Sequence, residues 1–256
     1  AKGHNADSSI PLSIFPITLD KFAICFCGLP GRGKTHIARR LAQYLTFFHA
    51  VPVQVFHTAE YRRKICGASK AVEWFDPTNE EGSKARTESE HTAQEELVEF
   101  LSTHENGIAI WDSTTASKER RAALVRTINS TGAIVMFIEV SNDDDALPAD
   151  FYRETVELSP DYAGVPLDEA ERDYRRRIDL YKSFYEPLDL NSEDPVESKW
   201  TYLKCNHQDQ DFVVHHVKGY LQQKVVNFIM NMRTTSHAFY LSRHGQSEYN
   251  ALQRIG

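Results

Sequence analysis

The chain has 256 residues, 41% of them hydrophobic, enough to bury a sizeable core as one large domain or two modest ones. Its formal net charge of -7 argues against a nucleic-acid binder that relies on a broad basic surface, so any phosphorylated ligand has to be held by locally clustered Arg and Lys. No run approaches the ~18 consecutive apolar residues of a membrane helix, and the first sixteen residues lack a basic start followed by an apolar stretch, which leads to the expectation of a cytoplasmic protein with no membrane partner.

Residues 1–20 mix polar positions with Pro11 and Pro16, show no sustained period, and are expected to form an N-terminal arm. Phe22 to Cys27 is a short apolar run bounded by a glycine turn, the signature of a buried parallel strand. Cys25 and Cys27 alternate within it as reduced core thiols, and the four cysteines lack the paired spacing of a zinc site. Thr35 to Leu45 follows as a predicted helix, with Ile37, Ala38, Leu41, Ala42 and Leu45 on one face. Val51 to Phe56 reads as a strand, Glu88 to Thr103 as a helix, Gly107 to Trp111 as a strand, Lys118 to Ser130 as a helix and Ala133 to Val140 as a strand. Leu167 to Tyr185 is a long charged helix, Trp200 to Cys205 with Asp211 to Val214 a late hairpin or pair of edge strands, and His216 to Arg233 a helix. Strands and helices alternating at this size predict an α/β fold, a mostly parallel sheet with helices on both faces. Asn231 to Ser236 is a short polar stretch before a last apolar strand at Ala238 to Leu241, so residues 21–235 are expected to be the main domain and 236–256 the opening of a second one too short for its own core.

Gly28-Leu29-Pro30-Gly31-Arg32-Gly33-Lys34-Thr35 fits the GxxxxGK[ST] pattern, with a predicted strand before it and a predicted helix after it. Gly28, Gly31 and Gly33 let the backbone curl so that successive N–H groups, that of Arg32 among them, point at phosphate oxygens. Lys34 is expected to reach the β and γ phosphates of ATP, and the Thr35 hydroxyl to ligate Mg²⁺. Asp112 ends the next apolar strand, where a P-loop fold keeps its second magnesium partner; the competing role is a helix cap, shared with Ser113, Thr114 and Thr115. Four basic groups, Arg62-Arg63-Lys64, Arg86, Lys118 to Arg121 and Arg175-Arg176-Arg177, lie near predicted strand ends or helix faces and suit a second, phosphorylated substrate. His207, His215 and His216 have no metal-ligand partners at useful spacing and read as surface positions.

From about Phe22 to Gly256 the chain resembles the 6-phosphofructo-2-kinase/fructose-2,6-bisphosphatase family. The motifs that carry this, in order, are GLPGRGKT, Glu60-Tyr61-Arg62-Arg63, Asn79-Glu80-Glu81-Gly82, Trp111-Asp112-Ser113-Thr114, Lys118-Glu119-Arg120-Arg121, Ser159-Pro160-Asp161-Tyr162 and Arg176-Arg177-Ile178. The resemblance implies a kinase in which Arg62, Arg86, Thr114, Arg120, Arg177 and Tyr181 hold fructose 6-phosphate while Lys34, Thr35 and Asp112 hold and activate MgATP. It also implies that Tyr240 to Glu248 opens a histidine phosphatase fold, with His244 as phosphoryl acceptor and Arg243 and Asn250 as phosphate ligands, inactive without the remainder of that fold. Two positions depart from the family pattern: Val156 stands where the family has a substrate-binding lysine, and Asn142 where it usually has a cysteine. The weighed alternatives are a P-loop kinase of another small acceptor and a weakly catalytic nucleotide-binding pseudokinase. A homodimer is one assembly compatible with the sequence.

Overall fold

The computed structural model describes residues 21–142, 150–206, 210–232, 238 and 240–242. Phe22–Cys27 (β1) is buried at every position, as a central parallel strand must be when both faces are covered. Its alternation splits the core in two. Phe22, Ile24 and Phe26 pack with Ile37, Leu41 and Leu45 of Lys34–His49 (α1) and with Val225 and Ile229 of Tyr220–Asn231 (α7). Ala23, Cys25 and Cys27 face the other way, onto Leu97 and Leu101 of Glu80–Thr103 (α3) and Leu124 and Ile128 of Lys118–Asn129 (α4). Each fully buried Leu, Ile or Phe in these two layers contributes on the order of 1.5–3 kcal/mol.

The sheet joins β1 to Val53–His57 (β2), Ile108–Asp112 (β3), Ile134–Val140 (β4), Thr201–Asn206 (β5) and Asp211–His215 (β6) in the order β2-β3-β1-β4-β5-β6. The first five run parallel, and β6 pairs antiparallel with β5 as an edge hairpin, matching the sequence expectation. In an open sheet of this kind, ligands enter at the carboxyl ends of the strands where successive connections leave in opposite directions. Here that place is the end of β1, between β3 and β4. A third apolar cluster lies outside the sheet, where Phe151–Glu157 (α5) packs on Leu167–Lys182 (α6) through Tyr152, Val156, Tyr162, Tyr174 and Ile178.

Several elements differ from expectation. Thr58–Cys66 is a helix (α2) directly after β2, where the sequence shows only a basic run; Arg62 is the residue it buries. α3 starts at Glu80 rather than Glu88, because Asn79 caps it by accepting from the Gly82 amide at 2.8 Å. Gly82, which looks like a helix breaker, is needed there: a Cβ would stand 2.0 Å from the Trp74 carbonyl oxygen. α5 was not expected either. α7 starts at Tyr220 instead of His216, since His216 has a φ of 53° and the Lys218 and Gly219 amides are held by Gln222 Oε1. At Ala238 to Leu241 the described positions form no strand, and Tyr240 and Leu241 are almost fully exposed; among the described residues there is no neighbouring strand for them to pair with.

Candidate functional site

At the end of β1 the chain turns through Gly28, Gly31 and Gly33, with φ of 124°, 73° and 80°, a left-handed sequence that L side chains resist. Gly33 caps α1 with no side-chain hydrogen bond, and the first turn of α1 holds no acidic residue. The open amides and the dipole of that helix start therefore face outward for an anion. Lys34 is buried and donates to the carbonyls of Gly28 and Leu29, at 2.8 and 2.6 Å. Burial pushes its ammonium down to about 8, with the charge of Asp112 acting the other way.

Asp112 closes β3, paired in register with His57 at the end of β2. It is 2% exposed. Its Oδ2 lies 2.8 Å from His57 Nδ1, but off the angle of a hydrogen bond, so both atoms stay buried without a hydrogen-bonding partner. The helix-cap alternative for Asp112 fails, because Ser117 caps α4 by accepting from the Arg120 amide at 3.3 Å. A buried carboxylate oxygen with an unmet acceptor, in one cleft with the Thr35 side chain, has the hard-oxygen chemistry that suits Mg²⁺.

In the same cleft α2, α3, α4 and α6 supply arginines. Arg62 Nη2 donates to both carboxylate oxygens of Asp161, at 2.7 and 2.6 Å; Arg63 and Arg177 stand 3.6 and 3.5 Å from the same carboxylate. The Arg177 guanidinium also lies 3.6 Å from the Phe75 ring centre. Arg86 donates to the carbonyls of Trp74 and Asp76, and Arg120 pairs with Glu90 at 3.0 Å. Together with Gly31, Thr114 and Tyr181 these groups line one cavity of about 270 Å³ that also contains Lys34, Thr35 and Asp112.

The structure thus brings Lys34, Thr35, Asp112, Arg62, Arg86, Thr114, Arg120, Arg177 and Tyr181 into a single cleft. Gly28 and Arg32 face a smaller pocket of about 140 Å³ behind the loop, with Val140, Ser141 and Asn142. Of the other basic groups, Arg121 is fully buried against Glu197 and the Thr115 carbonyl, Arg175 pairs with Glu171, and Arg176 pairs with Glu73 on the surface. These three do not line the cleft. Arg243, His244 and Asn250 lie outside the described residues. Sequence reasoning missed His57, Asp161 and Tyr174 as cleft residues. Two of them carried a signal: His57 ends a strand beside the strand that Asp112 ends, and Tyr174 precedes Arg177 by three residues on a predicted helix.

Asp161 is the anion that keeps three arginines together before any phosphate arrives. Burial alone would raise its carboxyl, but the hydrogen bonds from Arg62 and the charges of Arg62, Arg177 and Arg63 outweigh it and hold it below its ordinary 3.8. A depressed folded-state pKa gives stability that is present above the unfolded value and disappears as pH falls through the folded one. Asp161→Asn should therefore cost about 2 kcal/mol at pH 7, where it strands buried guanidinium groups, and the gap to the parent should close below about pH 3.8. Urea unfolding of both proteins from pH 7 to pH 3 reads this directly.

The family description for 6-phosphofructo-2-kinase matches residues 13–236. A Caenorhabditis elegans 6-phosphofructo-2-kinase/fructose-2,6-bisphosphatase is 36% identical over 91% of this chain and 51% of its own length, and a Gallus gallus protein of the same name is 34% identical over 96% of this chain and 54% of its own. The chain spans about half the length of these curated relatives. Among solved structures, Chaetomium thermophilum Kti12 in complex with ADP-AlF3 is similar at a TM-score of 0.50 and 16% identity, over 81% of this chain and 96% of that one, a likeness of fold alone. With the phosphate loop, the strand-end aspartate and the arginine wall arranged as described, the chain belongs to the 6-phosphofructo-2-kinase family.

Proposed function

We propose that this domain transfers the γ-phosphoryl group of MgATP to the 2-hydroxyl of fructose 6-phosphate, giving fructose 2,6-bisphosphate and ADP. The observation that carries the reading is the shared cleft, which the phosphate loop and Lys34 line together with Arg62, Arg86, Arg120 and Arg177. A triphosphate and a sugar phosphate each need concentrated positive charge, and a net charge of -7 supplies it only locally.

The chemistry asks for positioning and charge neutralisation. The loop amides hold the triphosphate, and Lys34 exchanges its two carbonyl partners for phosphate oxygens. The arginines fix the 6-phosphate, with Thr114 and Tyr181 as further contacts, so that the 2-hydroxyl approaches the γ phosphorus in line. The new bond from the sugar oxygen forms as the bond to the bridging oxygen of ADP breaks. Thr35 and Asp112 are the residues that would hold magnesium, which would supply charge neutralisation at the phosphate chain. Asp112 is also the carboxylate best suited to orient the sugar hydroxyl or take its proton.

A second reading has one observation in its favour. Val156 is buried in the α5–α6 apolar cluster, and the α5 residue that lines the cleft is Thr155, so α5 offers no cation to the phosphates. On that reading the domain binds nucleotide and turns it over slowly. Arg243, His244 and Asn250 are assigned to phosphate handling in a phosphatase half, a reading supported by the two activities in the relatives' names.

Arg177→Ala tests the acceptor end. The KM for fructose 6-phosphate should rise at least tenfold, with the KM for ATP within about twofold of the parent. Equal effects on both would remove Arg177 from the acceptor site.

A further inference from the structure

Tyr174 stands on α6, three residues before Arg177, and is 8% exposed. Its ring packs edge-on against Tyr152 and Tyr162, at 6.2 and 6.1 Å between centres. A phenylalanine would fill that apolar space equally well. The hydroxyl is what needs an explanation: it leaves the cluster and reaches the phosphate loop, where a Cβ placed on Gly31 would lie only 2.9 Å from it. Among the described residues it makes no hydrogen bond, although it lines the cleft shared by Lys34, Thr35 and Asp112. The other tyrosine in this cluster with a described hydroxyl contact, Tyr162, is satisfied by Asp173 at 2.8 Å.

On the cleft wall the hydroxyl has a donor that an incoming acceptor can take. Its place decides which acceptor: Gly31 belongs to the loop whose amides cradle the phosphate chain, so the nearest ligand atoms are phosphate oxygens. Burial pushes the phenol up to about 12, with Arg177 and Arg32 acting against it, and the group is a donor throughout the physiological range.

We infer that Tyr174 is a substrate-positioning residue whose hydroxyl donates a hydrogen bond to the nucleotide's phosphate chain from the side opposite the loop amides. The inference rests on the kinase reading above and deepens it. Because Tyr174 and Arg177 are one helical turn apart, α6 would then hold the donor's phosphates and the acceptor's phosphate on one rigid element, fixing their separation.

The test is Tyr174→Phe, which deletes the hydroxyl and keeps the ring. Calorimetry with MgATP, and steady-state kinetics with MgATP and fructose 6-phosphate, should show the Kd for MgATP rising about tenfold, the KM for fructose 6-phosphate within about twofold of the parent and the melting temperature unchanged. MgATP affinity equal to the parent's overturns the inference, as does a defect confined to fructose 6-phosphate. Absence of MgATP binding in the parent protein would overturn the kinase reading itself and the inference with it, which separates the two failures.

Discussion

Lys34→Met lowers the rate of phosphoryl transfer by roughly 10²–10³-fold while the melting temperature moves by only a few degrees. Removing one preorganised donor from a site where charge develops typically has an effect of that size on rate. Lys34 is the residue that the loop pattern aims at the transferred group, and it sits within the field of Asp112 in the same buried cleft. The fold depends on it little. Burial already pushes the ammonium down to about 8, so replacing a buried cation by an apolar side chain of similar length relieves a desolvation cost while losing two hydrogen bonds to loop carbonyls. Stopped assays of product formation and a thermal melt measure the two halves of this expectation. Full activity in the variant would contradict the assigned role.

Gly28→Ala is expected to be the most damaging single-methyl change in the loop. Gly28 ends β1 with a φ of 124°, and a Cβ there would stand 2.3 Å from the Val140 carbonyl oxygen at the end of the neighbouring β4. The backbone of one strand end blocks it, so no side chain can swing aside. Strain in a glycine-only conformation plus that clash amounts to about 4 kcal/mol, which lowers the melting temperature by about 10 °C for a domain of this size. Gly33→Ala is the control. Gly33 also has a positive φ, 80°, yet nothing lies within 4 Å of the position its Cβ would take, so only about 1 kcal/mol of backbone strain is expected. Equal losses from the two substitutions would show that conformational freedom, rather than close packing of β1 on β4, explains the glycine at position 28.

How much of this could be read from the sequence depended on whether the signal was local. The β1 strand, the phosphate loop and the start of α1 are contiguous, and each dictates the next: a fully apolar run, a turn only glycine can make, then an amphipathic helix. The central strands β1, β3 and β4 were legible for the same reason, since burial on both faces leaves largely apolar runs. Helices α2 and α5 were not legible. They are short, 9 and 7 residues, too short for a helical period to stand out: α2 buries Arg62 rather than an apolar stripe, and α5 has only Tyr152 and Val156 buried. Asp161 shows the limit most clearly. It binds Arg62 across 99 residues, and no local pattern distinguishes a carboxylate that organises an arginine cluster from one on a turn. The family resemblance already singles out Arg177 among its neighbours, and the fold supplies the physical reason: Arg177 enters the cleft, whereas Arg175 and Arg176 turn outward beside it.

The central claim is tested most directly by incubating the protein with MgATP and fructose 6-phosphate and assaying for fructose 2,6-bisphosphate. The account predicts that the bisphosphate forms with one ADP per molecule, requires both substrates, and is lost in Lys34→Met. Consumption of ATP with no bisphosphate, or no effect of fructose 6-phosphate on ATP turnover by protein that binds MgATP, would contradict it.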